Sequence, residues 1–496
     1  MQKKPTKNTV PTFAVLLTCC ALLTRGTVLF AQETPPAPDL FMQSVQQAYD
    51  ENIKRHENNP DVLVLPGLLA DRGAQTVTIQ ARFTGVGANE AIEFFVVGPD
   101  SGKDYETLLL SAAKPSDVSR ALKFIGLKPG KSVDYRENRV WPKGERVDLS
   151  FTWDTPGKDG GAAQSRTLRA EDMLIDTRTG KTLPVAGFMF VDSKTVGPRE
   201  PGQASVYVAD VSESRSIASN FNDSTTLLDV PWQAVQGAVY GFQTLDESVK
   251  FTHNQPATIT LKPIMMKDGS PRVVDLKLVV DVPVGVDVDR APGASLLQSE
   301  QVKFVLSRAD GTVVSERSAA EALGAIGAMV EAGHDPFLTI TPGDDLSLSD
   351  VRKLYALFDA AQGVKGLRIE PSPTGHLFWR AFFPQEEWRD ASVRLGEPWE
   401  LHVRSDATTG KVVSLLRKFT YDDDQKLSTR DFPVTGPAEL AKLLKEETGR
   451  WTDGVFVFAP ADLSYGQLMS LIRPGMEHIN WWYVFPATPA STQPVN

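Results

Sequence analysis

Polar and apolar positions alternate most cleanly over Thr76-Val77-Thr78-Ile79-Gln80-Ala81-Arg82-Phe83, the two-residue period of a strand with one buried face. A fuller apolar run, Ala91-Ile92-Glu93-Phe94-Phe95-Val96-Val97, predicts a second strand, and Tyr105–Ser111 a third. The turn Gly98-Pro99-Asp100-Ser101-Gly102 lies between these two and predicts a hairpin. Lys114-Pro115-Ser116 then opens a helix that runs through Leu122 and Ile125 and ends near Gly126. Upstream, Phe41, Val45, Ala48 and Tyr49 fall at helical spacing and predict a helix over 39–57. Arg146–Thr152 alternates again, and Asp176-Thr177-Arg178-Thr179-Gly180 is a turn.

Residues 256–317 read as an all-β insert, with strands at Thr258–Leu261, Val273–Val280, Gln301–Leu306 and Thr312–Glu316 and a hairpin signal at Asp310-Gly311. A small-residue helix and connector over 318–333 follow. The last third contains an internal echo. Phe337-Leu338-Thr339-Ile340 leads into Asp345-Leu346-Ser347 and then Val351, Leu354 and Leu357 at helical spacing. Further on, Val455-Phe456-Val457-Phe458 leads into Asp462-Leu463-Ser464 and then Leu468 and Leu471. Each serine can cap its helix, with Asp350 or Gln467 three residues on returning the bond. Each helix feeds a strand, Gly366–Glu370 or Ile479–Phe485, so two strand–helix–strand units with parallel strands are expected.

Composition adds the setting. A chain of 496 residues with 41% hydrophobic and 23% charged residues has material for several cores, and two to four domains are expected. Its formal charge is −10, and the first 31 residues contribute Lys3, Lys4, Lys7 and Arg25 with no acid, so the remainder carries −14. That balance opposes binding to nucleic acid or anionic lipid. The same 31 residues pass from a basic start through an apolar run, Phe13 to Leu23, to the small residue Ala31. This is the order of a secretory signal peptide, and cleavage is expected after Ala31. The run is short of the roughly 20 apolar residues that span a bilayer, so no integral membrane segment is expected in the mature chain. Both cysteines, Cys19 and Cys20, lie in the leader, so the mature chain is expected to rest on burial rather than disulfides.

The ordered motifs Phe94–Val97, Gly102-Lys103-Asp104-Tyr105-Glu106-Thr107-Leu108-Leu109, Ala113–Val118, Gly126–Gly130, Arg169–Ile175 and Ser216–Asp223 resemble the YdjY-type domain over about residues 75–263. The resemblance implies an exported, β-rich domain and assigns no settled activity. The family's strand often carries a His-Glu pair where this chain has Tyr105-Glu106. The two C-terminal units resemble, at the level of fold, the periplasmic domains of TolR and ExbD proteins. Those carry a transmembrane helix just before the domain, which this chain does not show. The fold class expected is therefore α+β multidomain. It has a signal peptide (1–31), a Pro-rich spacer and N-terminal helix (32–74) and a YdjY-like domain (75–263). A β insert and connector (264–333), a first TolR-like unit (334–385), strands with a second such unit (386–490) and a tail (491–496) complete it.

Candidate chemistry is sparse. Gly98–Lys103 resembles a phosphate loop but is one residue short, and Asp104 stands where a hydroxyl would hold magnesium. His56, His253, His334, His376, His402 and His478 are scattered singly, without the convergence a zinc site needs, and no Gly-x-Ser-x-Gly elbow occurs. Asp287-Val288-Asp289 starts like a calcium loop but continues with Ala291 and Pro292, and Tyr421–Gln425 reads as a solvated acidic turn. No cofactor and no metal are implied. Binding candidates are Lys103, Asp104, Glu106, Asn222 and Asp223 in the YdjY-like segment, and His376, Trp379, Arg380, Trp481 and Trp482 near the C-terminus, where six of the nine tryptophans fall. Adjacent rings at Trp481-Trp482 must face opposite sides of a strand. The function expected is an exported, non-catalytic binding or scaffolding protein whose partner is an envelope protein or cell-wall polymer. The alternatives are an extracytoplasmic enzyme, such as a carboxylate-dependent hydrolase, and a structural component of a larger assembly.

Overall fold

The structure is a computed structural model. It describes residues 39–134, 139–155, 162–198, 202, 204–282, 300–362, 366–370, 377–378, 399–405, 412–421, 427–447, 454–479 and 481–487. The leader, the acidic stretches at Asp287 and Asp422, and His376, Trp379 and Arg380 lie outside the described residues, as does the side chain of Trp481.

Helix α1 (Leu40–Arg55) matches the apolar spacing and buries Val45. A mixed ladder follows. Eight strands of this 11-stranded sheet form its ring: β1 (Thr76–Phe83), β2 (Phe94–Val97), β3 (Thr107–Ser111), β4 (Glu145–Thr155), β5 (Phe188–Phe190), β6 (Ser216–Ser219), β7 (Leu228–Asp229) and β8 (Pro256–Pro263). They pair in the order β1-β8-β4-β5-β7-β6-β2-β3, and β3 pairs back onto β1, so the ladder closes into a ring. The alternation in β1 buries Val77, Ile79, Ala81 and Phe83. Ile79, Ile259 and Phe151 sit opposite one another on β1, β8 and β4, so three strands contribute one apolar row to the core. Each such side chain contributes roughly 1.5–3 kcal/mol by leaving water. Helix α2 (Pro115–Phe124) packs Val118, Ala121 and Leu122 into the same core and ends at Gly126, whose φ of 103° suits glycine.

Two expectations need correction. The hairpin between β2 and β3 does not form, because these strands run parallel. The Gly98–Gly102 turn exists but bonds elsewhere: Gly98 N–H donates to Arg215 O (2.8 Å) and Gly102 N–H to Glu213 O (3.1 Å). The connection from Gly98 to Glu106 reaches about 30 Å when extended. That is enough to return along a strand of about 13 Å. Likewise Thr258–Leu261 is part of β8 and sits between β1 and β4, so it is a staple of the ring and no part of an insert.

The two larger of the remaining sheets repeat one plan. In the first, β9 (Val273–Asp281), β10 (Lys303–Arg308) and β11 (Val313–Ser315) are followed by helix α4 (Ala319–Glu331), β12 (Asp335–Pro342), helix α5 (Leu348–Ala361) and β13 (Arg368–Ile369). (Helix α3, Gln236–Val239, belongs to the ring segment.) The strand order is β11-β10-β9-β12-β13, with β9, β12 and β13 parallel and the others antiparallel. The expected insert and first strand–helix–strand unit thus share one sheet.

In the second, β14 (Trp399–Ser405), β15 (Val412–Tyr421), β16 (Leu427–Val434), helix α6 (Pro437–Glu447), β17 (Gly454–Pro460), helix α7 (Tyr465–Ile472) and β18 (Trp481–Ala487) give the order β16-β15-β14-β17-β18 with the same directions. A short strand, Leu377–Phe378, pairs parallel to the outer edge of β18. One continuous hydrophobic cluster runs through both repeats.

The repeats meet through their helix caps. Leu348 N–H donates to Leu463 O (2.9 Å) and Tyr465 N–H to Leu346 O (2.7 Å); Ser349 N–H donates to Ala461 O and Gly466 N–H to Asp344 O, both 2.9 Å. Shifting either bond of each pair by 117 residues generates the other, so the contact has local twofold character, centred on the bridge between Ser347 and Ser464. Among the described residues no helix is long and apolar enough to cross a membrane.

Candidate functional site

The candidate site lies at one rim of the ring. Glu93, Glu106 and Asn220 each stand one residue beyond a strand, before β2, before β3 and after β6. Backbone bonds hold them side by side: Glu93 N–H donates to Glu106 O and Asn220 N–H to Glu93 O, both 3.0 Å. Both glutamates are buried, and their carboxyls are near enough for each charge to be felt by the other. Burial, then repulsion from Glu106, holds Glu93 above the usual carboxylate range, against the opposing bond from Gln236 Nε2 (2.7 Å) and the charge of Lys103.

Lys103 Nζ lies 3.0 Å from Glu106 Oε1, an ion pair that leaves this oxygen without a well-aligned hydrogen bond. The ammonium also donates to Tyr105 Oη (3.0 Å) and stands 3.9 Å from the exposed Glu213. The bond to Tyr105 and the ion pair with Glu106 hold its pKa above the ordinary lysine value.

A segment after β7 closes over this rim. Its helix α3 supplies Gln236, and Gln243-Thr244 then runs beside Ala91-Ile92, with Ile92 N–H donating to Gln243 O (3.1 Å). Asn222 holds this segment in place. Its Nδ2 donates to Asp229 Oδ1 (3.1 Å) and Trp232 O (3.0 Å), and its Oδ1 accepts from Ala234 N–H (2.6 Å). Asp223 accepts from the N–H and hydroxyl of Thr225, a local turn. Burial raises the pKa of Asp223, and raises fully buried Asp229 much further. Asn222 and Asp223 therefore shape the loop that carries Gln236.

Of the sequence candidates, Lys103 and Glu106 come together. Asp104 is exposed in the helical turn before β3. Trp482 is a correction: it is fully buried, packing near Gly475 below the helices, and has no free ring to offer a partner. Trp399 is buried likewise. The residues not anticipated are Glu93, Gln236 and Asp229. An acid inside the apolar run Ala91–Val97 was the signal for Glu93, since a buried carboxyl needs a partner. Among the described residues, no group of three or more His, Cys, Asp or Glu side chains is placed to hold a metal ion.

A second buried polar cluster joins the ring to the first repeat. Arg146 of β4 makes two parallel bonds to Asp335 of β12 (3.0 and 2.9 Å), Arg368 of β13 donates to the same carboxylate (3.1 Å), and Arg272 lies 3.5 Å away. Burial pushes the Asp335 pKa up, but Arg146, Arg368 and Arg272 together outweigh it and hold the carboxyl below its ordinary value. Around them Trp141, Met189, Val191 and Phe337 form a small core, and Trp141 Nε1 donates to Gln362 Oε1 (2.6 Å).

Comparison with known families places the YdjY domain at residues 68–198 of this chain, by a match to that family's model. The match contains Glu93, Lys103, Glu106 and Arg146, while Asn220, Gln236 and Asp335 lie beyond it. No curated protein matches the chain.

Proposed function

We propose that the chain is an exported, non-catalytic binding or scaffolding protein of the bacterial envelope. The observation that carries this reading is the junction at Asp335. A closed ring and a duplicated module are held together by a carboxylate shared among three arginines and by a buried aromatic core. Removing one partner of such a cluster strands buried charge, which makes the junction a fixed geometry rather than a flexible link. A scaffold that presents two kinds of surface needs that fixity. The basic, apolar and small-residue order of residues 1–31 supports export, and the likeness of the two repeats to TolR-type periplasmic domains belongs to the same proposal.

The test is fractionation of a producing bacterium followed by affinity capture from its solubilised envelope. The expected result is a mature chain starting at Gln32 outside the cytoplasm, with an envelope protein or cell-wall fragment co-purifying. A chain retained in the cytosol with its leader intact, or capture no better than background, would sink the reading.

A second reading, acid–base catalysis, is favoured by the closeness of Glu93 and Glu106.

A further inference from the structure

We propose that the helix-free face of the second repeat is an internal docking surface whose occupant is the chain's own segment 379–398, which lies outside the described residues.

The face is aromatic, and it is enclosed. On β17, Val455 and Val457 pack with helices α6 and α7, so Phe456 and Phe458 point the other way. On β18, Tyr483 and Phe485 alternate likewise with Trp482 and Val484. The register sets Phe456 beside Tyr483 and Phe458 beside Phe485, with stacked rings at 5.3 and 5.2 Å. His402 of β14 stacks on Phe458 at 5.1 Å. Phe419 of β15 completes the cluster, which among the described residues holds only side chains of the sheet itself.

Side chains standing on one face of a sheet leave their tips in water unless a further layer covers them. Phe419, Phe456 and Phe458 are nevertheless only 3%, 7% and 6% exposed, and burial holds the Tyr483 hydroxyl above its ordinary pKa. In the first repeat the helix-free face is covered by the ring, where Phe337 packs with Trp141, Met189 and Val191. The second repeat needs a cover of its own.

The path of the chain identifies that cover. Two crossovers, β16-α6-β17 and β17-α7-β18, both travel towards the β18 edge and lay their helices on one face. A third joins Leu377–Phe378, outside β18, to β14, and it travels the opposite way between parallel strands. Parallel crossovers are right-handed almost without exception. For the reversed one to keep that hand, it must pass over the opposite face, which is the aromatic one. The crossing spans three strand spacings, about 14 Å. The 20 residues from Trp379 to Pro398 reach about 66 Å when extended, ample for a covering layer.

Composition agrees. Trp379, Phe382, Phe383 and Trp388 bring four large rings to this segment. The other stretches outside the described residues that adjoin this sheet have six residues or fewer, or, after Ala487, carry no aromatic side chain. Trp379 and Trp388 thus serve the chain's own core, and this face is closed to an external partner.

The experiment is photo-crosslinking of the full chain. The photoreactive residue p-benzoylphenylalanine replaces Phe458 in one protein and Tyr483 in another. Isotope-labelled and unlabelled chains are mixed, irradiated and mapped by peptide mass spectrometry. Most cross-links from both positions are expected to join residues 379–398 of the same chain. Mixed-label pairs, which would mark a second copy, cross-links chiefly to any other segment, or none at all would overturn the proposal.

A second variant leaves the face itself unaltered: Trp379→Ser/Phe382→Ser/Phe383→Ser/Trp388→Ser, with unchanged far-ultraviolet circular dichroism certifying its fold. Uncovering a buried phenol lowers its pKa. Tyrosinate absorbance of Tyr483, taken by difference against Tyr483→Phe in the same background, is therefore expected at lower pH in this variant than in the parent. Ionisation of Tyr483 at the same pH in both would also overturn the proposal.

Discussion

Asp229 and Glu93 are acids moved chiefly by burial, with a neighbouring acid adding to the shift of each. Asp229 is fully enclosed on β7, and desolvation dominates its rise from the ordinary 3.8, opposed by bonds from the Asn222 side chain and the Val230 backbone. An acid that holds its proton more tightly folded than unfolded stabilises the fold fully below the unfolded value. Stability then declines as the pH climbs through the folded value. Asp229→Asn keeps the carbonyl that Asn222 needs and removes the ionisation. Denaturant titrations are expected to find this variant more stable than the unaltered chain at about pH 8 and indistinguishable from it at about pH 3. Glu93→Gln is expected to shift stability in the same direction, since Gln236 can donate to either side chain. Equal stability of both variants and the parent at about pH 8 would show these acids to be ionised without cost. At this scale the sequence hid the site, because Glu93 and Glu106 become neighbours only through the parallel pairing of β2 and β3.

Among the elements, the helix caps were the most legible. The Asp-Leu-Ser pattern foretold both N-termini, and Ser347 and Ser464 accept from the N–H three residues on. The return bond differs between them. Gln467 reaches back to the Ser464 N–H, whereas the shorter Asp350 accepts the Ser347 hydroxyl. Ser347→Ala and Ser464→Ala are each expected to cost about 1 kcal/mol in chemical denaturation.

Gly466 is the stricter position. A Cβ there would stand 2.7 Å from the Asp344 Cβ and 3.2 Å from its Cα, where the repeats touch. Gly466→Ala is expected to cost about 1–3 kcal/mol, and a variant as stable as the parent would place the Asp344 loop under no constraint. Alternation announced β1, β4 and β8 because each has one face in a core and one outside it. Partner choice was not announced. Thr258–Leu261 reads the same beside β1 and β4 as it would in a separate insert, and only long-range register decides.

For the molecule as a whole, Asp335 is the position on which the joining of ring and repeats turns. Its partner Arg146 lies 189 residues away, a separation no local pattern encodes. Replacing it by asparagine leaves Arg146 and Arg368 buried without a counter-charge and is expected to cost about 3–5 kcal/mol. Its folded pKa lies below 3.8, so the parent keeps this contribution above that value and loses it as the pH falls through the folded one. The acid limb of the stability curve should therefore flatten in Asp335→Asn, and an unchanged limb would assign acid unfolding to other groups.

The cap-to-cap seam between the repeats has its own consequence. Two separate chains meeting through this self-complementary contact would be held together only as far as their concentration allowed. Carried on one polypeptide, each half finds the other at a tether-set effective concentration, of millimolar order for short flexible links. Assembly of this half is thereby independent of how little protein is present.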